Sequence, residues 1–235
     1  MSRVNLTSVH LSAVCNSPGH RVRLSRSLPA MAVPEPQDPN EGLTAPRRAR
    51  MSPTARRADL VAAARSVLMQ AGDTGVAEIA QTAGVSKALL YRYFPAGRSE
   101  IVGAVVDGLA EELLAQVDQA AAMPFSPVVR LEQMLAAVFS FFSAEPGAYR
   151  LLVGPATDDA SPGPASRAAR VGLVSSISAV LADGVQPPAD VLAAATGLVG
   201  FALATVGLCL DGQYPPERAW QLSCHCARLL AEPPT

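Results

Sequence analysis

The chain has 235 residues, long enough for one or two domains with a sizeable core. Apolar residues make up 49%, led by Ala and Leu, aromatics only 5%, and no stretch alternates with period two; this disfavours a sheet and points to an all-α protein. The net charge of −1 hides a segregation, because residues 44–98 hold nine basic and three acidic side chains while residues 99–235 hold six and fourteen, which suits a basic surface that meets polyanions, or is ordinary patchiness.

Residues 1–50 show no periodicity, and their Pro, Gly, Asn, Gln and Asp content reads as a disordered extension. The first thirty residues lack Asp and Glu and are rich in Ser and Arg, which superficially resembles a transit peptide. A plainer reading is a mis-called start, with Met31 or Met51 as initiator. Arg47, Arg48, Arg50, Arg56 and Arg57 form a basic arm. Such an arm can follow phosphates or a minor groove, or remain a solvated tail.

A first helix is predicted over 53–71, with Leu60, Ala64, Val67, Leu68 and Ala71 on one stripe and Gly72 as its stop. Next comes GVAEIAQTAGVSKALLYRYF, residues 75–94, which reads as two short helices around a tight turn. The first spans Val76 to Thr82, Ala83-Gly84-Val85 makes the turn, and Ser86 caps the second, which Pro95 ends. Leu90 and Phe94, four apart, anchor the second helix. Lys87, Ala88, Leu89, Tyr91, Arg92 and Tyr93 are left for outward or flanking positions, a pattern suited to entering a major groove. Lys87 is the only lysine in the chain.

Residues 54–112 resemble the DNA-binding domain of the tetracycline-repressor (TetR) family of bacterial transcription regulators. The resemblance rests on Ala63-Ala64-Arg65, Gly72, Glu78-Ile79-Ala80, AGVSKALLYRYF from Ala83 to Phe94, and Arg98 to Ile101 opening a long helix. It implies DNA contacts from Thr74, Ser86, Lys87, Ala88, Leu89, Tyr91, Arg92, Tyr93 and Arg98. Several positions depart from the family pattern. The link after Gly72 is short, Gly75 stands where Ser or Thr usually caps, and Leu89 replaces a usual Thr, leaving apolar contact with a thymine methyl. Ala96 looks inserted, and Arg98 takes the place of a phosphate-binding lysine at a helix N-terminus.

The fourth helix, 98–122, carries Ile101, Val105, Leu109, Leu113 and Val117 at steps of four. Helices follow over 127–144, 148–153 and 165–182, with a loop at 154–164. Met134 and Phe139, Phe141 and Phe142 either line a ligand cavity or fill the core. The expected effector pocket comprises Leu109, Leu113, Met134, Val138, Phe139, Phe142, Tyr149 and Phe201. Residues 191–210 are free of charge and long enough to span a membrane, but their Ala, Gly and Thr content favours a buried helix. The last helix is 216–231. In the resembling family the last two long helices form the dimer interface, which implies Gly197, Gly200, Ala204, Gly207 and Trp220 here.

Cys224-His225-Cys226 is not read as a metal site, since i and i+2 point apart on a helix and no second cluster exists. Four cysteines make no disulfide pattern, consistent with a cytoplasmic chain. No catalytic constellation or cofactor motif is evident, so no enzyme activity and no cofactor are expected. The expected organisation is an extension (1–50), a helix-turn-helix DNA-binding domain (54–112) and a helical effector-binding and dimerisation domain (113–235). The expected function is a ligand-responsive repressor that binds a near-palindromic DNA operator as a homodimer, with a small apolar effector and no membrane role. The alternative is a helical interaction or architectural protein without an effector.

Overall fold

Proline sets the beginning of most helices in this chain. Pro lacks the N–H that a first turn cannot use, and its fixed φ already suits the helix. In the computed structural model, α1 (Pro53–Ala71), α5 (Pro127–Ala144), α6 (Pro146–Leu152), α7 (Pro164–Ala182), α8 (Pro188–Leu210) and α9 (Pro216–Ala231) all start on one. The others are α2 (Val76–Thr82), α3 (Lys87–Tyr93) and α4 (Arg98–Ala121). The structure describes residues 52–71, 74–154, 163–183 and 188–231, which are all-α, with no strand among them. The expected extension, the arm residues Arg47, Arg48 and Arg50, the stop at Gly72 and most of the loop at 154–164 lie outside the described residues.

The predicted stripe of α4 is its buried face: Ile101, Val105, Leu109, Leu113 and Val117 are each at most 2% exposed. Against it pack α1, α5, α6 and α7. Helix α8 is not free-standing. It packs on α5, α7 and α9, and Val191, Ala195, Leu198, Val199, Ala202, Leu203 and Val206 are buried. By length and composition α8 could cross a membrane, yet 44% of its apolar window lies inside this core.

Two predicted bounds need correction. Helix α6 begins at Pro146 rather than at Ala148, and α8 begins at Pro188 rather than at 191. Gly147, a residue type that weakens helices, lies inside α6. It belongs there because a Cβ at this position would stand 2.5 Å from the Met69 carbonyl oxygen of α1. Arg150 of α6 also donates to that oxygen, at 3.0 Å. A second tie joins α1 to the rest of the bundle. Arg65 makes two hydrogen bonds to Glu112 of α4 and one, at 2.7 Å, to Glu145 at the α5–α6 corner.

Candidate nucleic-acid interface

The turn between α2 and α3 requires glycine. Gly84 has φ +62°, a conformation unfavourable for residues with a Cβ. The chain then closes back on α2, with Val85 N–H donating to the Ala80 carbonyl at 2.9 Å. The Ser86 hydroxyl accepts from Leu89 N–H at 3.2 Å, capping α3 as its sequence suggests. Leu90 and Phe94 are fully buried with Ile79, which fixes the roll of α3. That roll exposes Lys87, Ala88, Tyr91 and Arg92 and leaves Leu89 and Tyr93 half-buried. The Arg57 guanidinium of α1 lies 4.7 Å from the Phe94 ring centroid, adding a cation–π contact to the anchor.

The start of α4 completes the site. Gly97 caps α4 with φ +67°, and the Tyr91 ring lies across it, its Cε1 3.2 Å from where a Cβ would be. Tyr91 is therefore seated on one side while 49% of it remains exposed. Arg98 Nε donates to the Thr74 carbonyl at 2.9 Å, tying the start of α4 to the entry of α2. The Glu100 carboxylate reaches back to Ala96 N–H at 3.1 Å. An acidic group thus already serves the α4 N-terminus, where the helix dipole favours negative charge.

Of the expected DNA-contacting residues, Ser86, Lys87, Ala88, Tyr91 and Arg92 share one open face, and Leu89 and Tyr93 flank it. Thr74 is a correction: it is 1% exposed, and its hydroxyl is buried without a hydrogen-bond partner. Arg98 is half-buried, with one donor committed to the protein itself. The cations of Lys87, Arg92 and the neighbouring Arg57 give the face a positive sign.

The expected pocket divides. Met134 and Val138 line one small cavity between α4, α5, α7 and α8, and Leu113 and Phe142 line an adjoining one. The rest of that list is corrected. Leu109 lies in the core and lines neither cavity. Phe139 turns to Trp220 of α9, edge to face with centroids 6.0 Å apart. Tyr149 donates to the Leu203 carbonyl at 2.9 Å, and Phe201 lines neither cavity. The sequence reading missed Leu173, Ile177, Val199, Ala202 and Leu203, whose burial was legible but whose partners across helices were not.

On α8, Gly197 and Ala204 are exposed and Gly200 is half-exposed, beside the exposed Leu192 and Leu208. Gly207 is a correction, for it is buried under the Tyr149 ring, which a Cβ would strike. Trp220 is half-buried against Phe139. Among the described residues no group of acidic, His or Cys side chains could hold a metal ion.

Residues 60–105 match the family model described as bacterial regulatory proteins, tetR family. The nucleoid occlusion factor SlmA of Mannheimia succiniciproducens is 31% identical over 80 residues, which are 34% of this chain and only 37% of that relative. A TetR-like transcriptional regulator from Rhodococcus sp. RHA1 superposes with TM-score 0.62 at 23% identity, covering 78% of this chain and 100% of that one. The transcriptional regulator FadR of Bacillus subtilis, solved in complex with stearoyl-CoA, superposes with TM-score 0.62 at 16% identity over 76% of this chain and 99% of that one.

Proposed function

We propose that the chain, whose residues 60–105 match the tetR family of bacterial regulatory proteins, is a DNA-binding transcription regulator that acts as a ligand-responsive repressor. The observation that carries the reading is the face of α3. A capped helix held by two fully buried anchors presents Lys87, Ala88, Tyr91 and Arg92 together. Lys87, Arg92, Tyr91 and Tyr93 would meet phosphates, and Ala88 and Leu89 the base edges. Arg98 and Thr74 would act behind this face, holding α4 against α2. Residues 54–112 would be the DNA-reading unit and residues 113–235 the effector-binding and dimerising one.

Two copies would pair through α8 and α9, as the uncharged face of Leu192, Gly197, Gly200, Ala204 and Leu208 supports. Pairing would set two recognition helices about 34–36 Å apart on a near-palindromic operator. The effector would enter between α4, α5, α7 and α8 and move α4, which touches both the α3 face and the cavity. Such a protein works in the cytoplasm and needs no catalytic activity.

A second reading, a DNA-binding protein without effector, draws on the small size of the cavities, each about 10 Å³, room for about one water. One relative over part of its length is named a nucleoid occlusion factor, which supports a nucleoid-associated role for this chain under the second reading. Selection of sites from a random DNA pool, followed by a metabolite screen on the complex, separates the two. The repressor reading requires a palindromic consensus and at least one compound that releases the DNA. A consensus with no releasing compound favours the second reading, and failure to select any site removes both.

A further inference from the structure

The two cavities are adjoining lobes, since Leu173 and Leu203 line both. Among the described residues the inner lobe is lined by apolar side chains alone, with Val117, Met134, Val138, Ile177 and Ala202 in its wall. The outer lobe differs by two polar residues of α7, Ser166 and Arg170. Ser166, Arg170, Leu173 and Ile177 recur at steps of three and four, so one edge of α7 runs along both lobes with its polar end outermost. Among the described residues, Arg170 is the only charged side chain in either wall. Among the described residues no carboxylate pairs with it. Its charge nevertheless reaches inward. Burial and Asp211 push the Tyr149 hydroxyl above its ordinary pKa, while Arg170 acts the other way.

We propose that this two-lobed cavity takes an amphipathic anion, with its tail in the apolar lobe between α4, α5 and α8 and its acidic head at Arg170. The inference rests on the effector reading above and adds the chemical class. An apolar lobe gives a buried charge nothing to pair with, so the ionic group must stay at the outer end. A guanidinium offers the forked donors that a carboxylate or phosphate accepts. From Arg170 to Ile177 the helix rises about 10 Å, which suits a tail of about eight to ten carbons. With each lobe holding about 10 Å³, the tail enters only by spreading the helices. Binding therefore favours a more open bundle than this one.

The test uses the full chain and three probes of equal tail: decanoate, decyl phosphate and decanol, titrated calorimetrically below their aggregation concentrations. Wild type is compared with Arg170→Gln, an exposed substitution, and with Ala202→Leu, which fills the inner lobe. The expected result is that at least one anion binds about tenfold tighter than decanol, the scale of one charged hydrogen bond. Arg170→Gln should remove that preference, and Ala202→Leu should weaken all three probes while circular dichroism stays helical. Decanol binding as tightly as both anions, or an anion preference that survives Arg170→Gln, overturns the proposed class but leaves the effector cavity standing. Probes indifferent to Ala202→Leu are on the surface and overturn the site. No binding by any probe overturns the proposal, while release of DNA by some other compound would still uphold the effector reading.

Discussion

At the scale of single residues, the proposed recognition face depends on positions packed behind it. Gly97 is the clearest. Its φ of +67° and ψ of −132° lie where only glycine sits comfortably, and Tyr91 closes the space above it. Gly97→Ala should cost about 1–3 kcal/mol, read as a lower urea midpoint, and should weaken DNA binding by displacing Tyr91. A variant as stable as wild type would show that this backbone relaxes freely. Gly84, Ser86, Leu90 and Phe94 were legible in the sequence because turn, cap and anchor chemistry are local. Thr74 was not. Its burial accompanies a tertiary contact, the Arg98 hydrogen bond to its carbonyl, and no neighbour in sequence announces it.

At the scale of elements, helix starts were legible at Pro53, Pro127 and Pro216 but not at Pro146 or Pro188, although Pro stands first there too. Helix α6 was misread because Gly147 resembles a break, whereas its role is a close approach to α1 that only tertiary contact reveals. The pocket was half legible for the same reason: α4 and α5 residues were nominated by type, but α7 residues were not. Helix α1 is also tied to the body by Arg65, whose charge is held by Glu112 and Glu145. The Arg65 hydrogen bonds hold the Glu112 carboxyl below its ordinary value of 4.5. A lowered folded-state pKa contributes stability above the unfolded pKa and loses it as pH falls through the folded one. Wild type should therefore exceed Glu112→Gln in stability at pH 7, and the gap should narrow below about pH 4.5. Because both partners are partly exposed, salt should narrow it too. Urea unfolding at pH 7 and pH 4 gives the comparison, and an equal gap at both would assign the tie no electrostatic role.

At the scale of the whole molecule, the bundle leaves one uncharged face of α8 open, with Leu192 63% and Leu208 40% exposed. Leu222 and Leu229 of α9 are exposed as well. A second copy would cover such a face, and Ala204→Glu would place two like charges across it. Sedimentation should then show wild-type dimers and variant monomers, with operator affinity falling alongside. A dimeric Ala204→Glu would move the interface elsewhere. Fold class and reader were legible from sequence because both reside in periodicity and one local motif. The dimer face could be named only by resemblance, and Gly207 shows the limit: its small size serves Tyr149 inside the chain.

The central claim is that the face of α3 reads DNA. It is tested most directly by the salt dependence of binding to a selected site, for wild type and Lys87→Ala. The account predicts that Lys87→Ala weakens binding and flattens the slope of log K against log salt by about one per head, the signature of a lost phosphate contact. An unchanged affinity and slope would contradict it.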